Sequence, residues 1–167
     1  NAMTIDLPAP IKSAIEKGNA ILFLGAGASY DALVSGQPTR MYADTVRDEL
    51  ANKFLGGAHK RRPLMTVADY ARSEASLQKV QLCVRELFVD LGPADFHLTI
   101  PKFRWKAIVS TNYDLVIERA YVQCPERLQD LVPVTRDGEE LEKALSGQNT
   151  VPYLKIHGCI NNYSDPT

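Results

Sequence analysis

The feature that most constrains this chain is an unbroken apolar run, Ala20-Ile-Leu-Phe-Leu24, that stops abruptly at Gly25-Ala26-Gly27-Ala28-Ser29. A run with no polar alternation predicts a strand buried on both faces, the habit of parallel sheets, whereas a half-solvated strand would alternate. A short helix is expected just before it, over residues 10–18, from the helical spacing of Ile11, Ala14 and Ile15 and the stop signal Gly18-Asn19. Glycines at the C-terminal end of a buried strand leave backbone N–H groups accessible, and a helix opening there would present its N-terminus to a phosphate.

The same grammar returns further along. Ala107-Ile-Val-Ser110 is a second short apolar run, followed by a helix over residues 114–121. A third strand is expected over Leu131 to Thr135, then a turn at Asp137-Gly138, a helix over residues 139–145 and a last strand over Pro152 to Ile156. Strands alternating with helices predict an α/β fold, a Rossmann-like doubly wound parallel sheet. From Met41 to about Gly92 the pattern is helical instead. Val46, Leu50 and Phe54 share one face, residues 67–72 make a shorter helix, and Leu82, Leu87, Val89 and Leu91 form another apolar stretch with Cys83 in its core. This is more chain than a plain crossover needs, so a helical insertion is expected over about 41–100.

Composition narrows the class. With 167 residues, 45% hydrophobic and 23% charged, the chain can bury a core as one domain. Nineteen basic and 20 acidic residues leave a net charge of −1, which offers no basic excess for nucleic acid or an anionic membrane. No apolar stretch approaches the roughly 20 residues of a membrane span. The three cysteines, Cys83, Cys124 and Cys159, are widely spaced with no CxxC pair, so a reduced, cytoplasmic protein without a metal is expected. Asn1-Ala2 ahead of Met3 read as a tag remnant, with the domain running from residue 4 to 167.

Three segments could carry chemistry. Gly25 and Gly27 suit close approach of a phosphate, yet they equally suit a tight turn that needs unusual φ/ψ. The dinucleotide fingerprint of dehydrogenases is incomplete, because Tyr30 stands where its third glycine would fall. Ser110-Thr111-Asn112-Tyr113-Asp114 puts polar groups at the end of a buried strand, where doubly wound folds bind ligands. Asp114 could instead cap the following helix, and Thr111 or Asn112 could satisfy loop backbone. His157 emerges from the last strand beside Gly158, although a lone histidine is more often structural than catalytic. His97 and Trp105 read as packing residues, and His59-Lys60-Arg61-Arg62 as a solvated loop.

Taken together, these segments resemble the sirtuin-like NAD-dependent family, whose order is Gly-Ala-Gly-x-Ser, then Thr-Gln-Asn-x-Asp, then His-Gly. Residues 25–29 match the first in full, Asn112 and Asp114 match the second, and His157-Gly158 the third. Gly36 and Pro38 fit the family's Gly-x-Pro, but Thr39-Arg40 follows where deacylating members carry Asp-Phe-Arg. His97 ahead of residues 108–114, and then Glu118-Arg119-Ala120, are similar to the bacterial branch that serves as NAD-consuming effectors in antiphage defence.

The resemblance implies hydrolysis of NAD at the nicotinamide–ribose bond, giving nicotinamide and ADP-ribose. It implies catalytic roles for Asn112, Asp114 and His157, and contacts to NAD from Gly25, Ala26, Gly27, Ser29 and Thr111. NAD is then the substrate, a second copy or a defence-complex protein the further partner, and neither a membrane nor nucleic acid is expected on this domain. NAD-dependent deacylation, or silent binding of NAD or ADP-ribose, are the competing expectations. In the family, His-Gly lies about mid-domain, so the chain is expected to be an N-terminal piece whose isolated form binds NAD weakly.

Overall fold

The computed structural model describes residues 6–39, 43–134, 142, 145–147 and 149–156. Four short strands form one parallel sheet, β1 (Ile21–Leu24), β4 (Ala107–Ser110), β6 (Thr150–Lys155) and β5 (Asp130–Val134), in the spatial order β1-β4-β6-β5. All three pairings are parallel, with Leu24 opposite Ser110 and Ser110 opposite Lys155. The α/β, Rossmann-like parallel sheet expected from the sequence is therefore what the chain forms. Three adjacent strands, β1, β4 and β6, end in register on one edge, so the segments that follow them are brought together there.

Among the described residues the sheet is accompanied by the helices α1 (Ala9–Glu16), α2 (Ala43–Phe54), α3 (Leu64–Glu74), α4 (Leu77–Phe88) and α5 (Val116–Gln123). Helix α5 covers one sheet face. Its Ile117 and Tyr121 pack with Leu24 of β1, Ile108 of β4 and Val151 and Tyr153 of β6. Leu22 and Trp105 close the margin of this core, and the Trp105 indole N–H donates to the Ile100 carbonyl (2.9 Å), the packing role expected of it.

The expectation that β1 is buried on both faces holds for only one of them. Leu22 and Leu24 join the core, whereas Ile21 and Phe23 stay 59% and 62% exposed. Successive side chains of a strand point to opposite faces, so Ile21 and Phe23 lie on the face opposite Leu22 and Leu24, away from the core that α5 completes.

Between β1 and β4 the helices α2, α3 and α4 pack around a core of their own, built from Val46, Leu50, Ala51, Val67, Ala71, Val80 and Cys83. Helical periodicity explains the selection, since Val46 and Leu50, Val67 and Ala71, and Val80 and Cys83 lie three or four residues apart. Ser76 caps α4 by accepting the Lys79 amide hydrogen. Leu82 faces solvent, because it falls between the buried positions Val80 and Cys83. The basic run His59–Arg62 lies in the loop joining α2 to α3, with the His59 ring edge-on to Tyr70.

A two-stranded hairpin, β2 (Leu33–Val34) and β3 (Gln37–Pro38), is too short to show a pattern in sequence. Its two-residue turn, Ser35-Gly36, has both φ values positive (51° and 78°), the left-handed geometry that glycine relieves. Gly92 and Leu33 exchange backbone hydrogen bonds, which ties the hairpin to the end of the helical segment. Arg119 of α5 holds the same corner by donating to the carbonyls of Val89 and Leu91. The helix expected over residues 139–145 lies almost wholly outside the described residues. Among the described residues no helix is long and apolar enough to cross a membrane.

Candidate functional site

Leu24 ends β1 and Ser110 ends β4, side by side, so the glycine turn and the 111–114 turn leave the sheet as neighbours. Thr111 donates its amide hydrogen to the Leu24 carbonyl (3.1 Å), extending the strand pairing by one bond. The following residues then leave the ladder with polar side chains turned toward the glycine turn.

The helix expected to open at the glycines is a single 3₁₀ turn, Ala26–Ser29. One short turn has little dipole, so any anion contact here comes from individual N–H groups rather than a helix end. Gly25 adopts φ −100°, ψ −173°, an ordinary extended conformation, so turn strain does not call for glycine there. A Cβ built on Gly25 or Gly27 meets nothing within 4 Å. The bare backbone at both positions faces open space, which favours close approach of a ligand over turn geometry as the reason for glycine.

Three side chains from the two turns form a relay of hydrogen bonds, Asn112 to Ser29 to Asp114. The Asn112 amide donates to the Gly25 carbonyl (2.9 Å) and to Ser29 Oγ (2.8 Å). Ser29 Oγ in turn donates to Asp114 Oδ2 (2.6 Å). Asp114 Oδ1 accepts the Val116 amide hydrogen (3.0 Å), so the carboxylate also serves the first turn of α5. Ser29 and Asp114 are buried, while Thr111 and Asn112 are half-buried. Capping and site assembly are therefore served by one carboxylate, since its two oxygens take different donors. Asn112 also satisfies loop backbone through the Gly25 carbonyl. Thr111 Oγ1 lies 3.5 Å from Asn112 Oδ1, a long contact that leaves that oxygen lightly held.

His97, expected to be structural, is fully buried and buttresses the glycine turn from behind. Its Nδ1 accepts the Ala94 amide hydrogen (2.9 Å), so Nε2 carries the proton and donates to the Ala28 carbonyl (2.6 Å).

Two residues that sequence reasoning left without a role complete the edge. Lys155, the last residue of β6, has a fully buried side chain whose Nζ pairs with Glu118 Oε1 (2.8 Å) and donates to the Asp114 carbonyl. Burial raises the Glu118 carboxyl above its ordinary pKa, and the Lys155 charge offsets only part of that shift. The only sequence hint was a lysine within a strand that is otherwise apolar. His157 and Gly158 lie outside the described residues. Of the named site residues, Gly25, Ala26, Gly27, Ser29, Thr111, Asn112 and Asp114 all stand on this edge. Among the described residues no group of three or more His, Cys, Asp or Glu is disposed to hold a metal ion.

Residues 106–166 match the SIR2-like domain family. The matched stretch runs from the start of β4 through the 111–114 turn, α5, β5 and β6, and it supports a sirtuin-like relationship for that part of the chain. The glycine turn lies outside the SIR2-like segment but is bonded to it through Ser29–Asp114 and Asn112–Gly25. No curated protein matches the chain.

Proposed function

We propose that this sheet edge binds NAD and hydrolyses its nicotinamide–ribose bond, releasing nicotinamide and ADP-ribose, as the effector part of a larger bacterial defence protein. The observation that carries the proposal is the convergence of an open glycine backbone with Asn112 and Asp114 at the C-terminal ends of two neighbouring parallel strands. Open parallel sheets bind ligands in that position, and the SIR2-like match points to NAD-related chemistry.

In this proposal the amides at Gly25, Ala26 and Gly27 receive the pyrophosphate, with Ser29 and Thr111 adjacent. Loss of nicotinamide passes through an oxocarbenium-like centre at the ribose anomeric carbon. The C–N bond breaks with its electron pair going to the cationic pyridinium nitrogen, which leaves neutral. A water oxygen then bonds to the anomeric carbon and gives up a proton to His157. Asn112 Oδ1 faces the ribose hydroxyls or that water, and Asp114, fixed by Ser29, holds the turn's shape and the local negative charge that favours an oxocarbenium. General-base help of this kind contributes about 10²–10⁴ in rate.

Thr39-Arg40, standing where deacylating members carry Asp-Phe-Arg, weighs against obligatory acyl transfer. Incubation of the full-length protein with NAD separates the two enzymes: steady nicotinamide release without acyl-lysine supports hydrolysis, and release only on adding an acyl-lysine peptide refutes it. One observation favours silent binding instead. The Asn112 amide and both Asp114 oxygens are engaged by protein groups, as in a structural turn. Calorimetric binding of NAD with no nicotinamide formed is the outcome that reading requires.

A further inference from the structure

We propose that the buried Lys155–Glu118 pair is a positioning clamp, which ties the end of β6 to the 111–114 turn and fixes the orientation from which Asn112 and Asp114 meet a ligand. The inference deepens the NAD reading and depends on it for its kinetic consequence only.

An ammonium group loses its hydration on burial. Lys155 has no exposed side-chain surface, and the effective penalty for desolvating such an ion is several kcal/mol. A pair of this kind is a poor way to gain stability, because apolar residues of similar volume in its place are often neutral or stabilising. Its placement gives a better reason for it. Lys155 is the register partner of Ser110, and the next amide, Ile156 N–H, donates to the Ser110 carbonyl (3.0 Å), so the ends of β6 and β4 are locked together. From that fixed base the lysine reaches under the turn that follows β4. Its Nζ donates to the Asp114 carbonyl, lies 3.5 Å from the Tyr113 carbonyl, and pairs with Glu118 on the first turn of α5.

One cation thus gathers the turn's backbone and the helix that follows it. The Ser29, Asn112 and Asp114 side chains hold the turn on one side, and Lys155 holds it through the Asp114 and Tyr113 carbonyls. Glu118 shows that this arrangement is not optimised for stability: Oε2 is buried and has no hydrogen-bond partner among the described residues. A half-satisfied buried carboxylate costs free energy that an apolar side chain avoids, which fits a residue whose task is to hold Lys155 in place. Neither residue touches reacting atoms in this account; both act through the turn.

The test compares the full-length protein with Glu118→Gln and with the apolar double variant Glu118→Leu/Lys155→Met, in three readouts: thermal midpoint, amide hydrogen exchange over residues 111–116 without NAD, and kcat and KM for nicotinamide release. The double variant is expected to melt close to the wild type, exchange at least tenfold faster over that turn, and lose about 10- to 100-fold in kcat with KM changed less than about threefold, the signature of misplaced groups. Glu118→Gln, nearly isosteric, is expected to move exchange and kcat in the same direction by a smaller factor. Wild-type exchange and wild-type kcat in the double variant would overturn the clamp, and if that variant does not fold, the same result in Glu118→Gln overturns it. Faster exchange in a protein whose wild type releases no nicotinamide upholds the clamp and removes the hydrolysis reading alone.

Discussion

Replacing Ser29 by alanine removes a single oxygen from the centre of the proposed site, and the structure allows the consequence to be worked through. Ser29 Oγ donates to a buried carboxylate oxygen of Asp114 and accepts from the Asn112 amide. Without it, Asp114 Oδ2 loses its charge-assisted partner in a place where the residue is only 3% exposed, so water has little access to replace it. The Asn112 amide keeps its second partner, the Gly25 carbonyl, and suffers less. A hydrogen bond to a charged group contributes about 1.5–3 kcal/mol, and the stranded acceptor adds to that, so the expected loss is about 2–3 kcal/mol. For a chain of this size that lowers the melting temperature by roughly 5–10 °C.

Urea unfolding followed by circular dichroism measures the loss, with an unchanged m-value as the control that the denatured state is the same. The double variant Ser29→Ala/Asp114→Asn is expected to be less destabilised than the sum of the single changes by at least about 1 kcal/mol, because the two side chains share one bond. A Ser29→Ala variant within about 0.5 kcal/mol of the wild type, or strict additivity in the cycle, would refute the claim that this network joins the glycine turn to the 111–114 turn.

Gly25→Ala is expected to leave stability within about 0.5 kcal/mol of wild type, since its φ is ordinary and its Cβ meets nothing, yet to weaken NAD binding at least tenfold in calorimetry. His97→Ala, which opens a cavity and strands both the Ala28 carbonyl and the Ala94 amide, is expected to cost about 3 kcal/mol in urea unfolding. The raised carboxyl pKa of Glu118, set by burial and by Asp114 against the opposing Lys155, means the folded state binds that proton more tightly than the unfolded chain. Its stabilising contribution is therefore complete below the ordinary carboxyl pKa and is lost as pH rises through the raised value; thermal melts of Glu118→Gln should lack this component between acidic and neutral pH.

The strands of the parallel sheet were legible because each is a short apolar run bounded by turn residues, and β4 was read to the residue. The glycine turn and Asn112 and Asp114 were legible as strand-end polar groups. Their meeting was not, because Ser29 and Asp114 lie 85 positions apart and only the β1-β4 adjacency brings them together. The pairing of Lys155 with Glu118 was not legible for a similar reason, since it depends on β6 returning to lie beside β4 after β5. The exposure of Ile21 and Phe23 was illegible too: an apolar run reports that a strand can be covered on both faces, not which elements cover it. A two-residue strand such as β2 or β3 carries no periodicity to read.

The central claim is that NAD reacts at the edge where β1 and β4 end. A crystal structure of full-length Asn112→Ala protein, slowed in turnover and soaked with NAD, tests it most directly. The account predicts the pyrophosphate within hydrogen-bond distance of the backbone at Gly25 to Gly27, and the nicotinamide ribose beside residues 111–114. NAD bound elsewhere, with this edge empty while the wild type cleaves NAD, would contradict it.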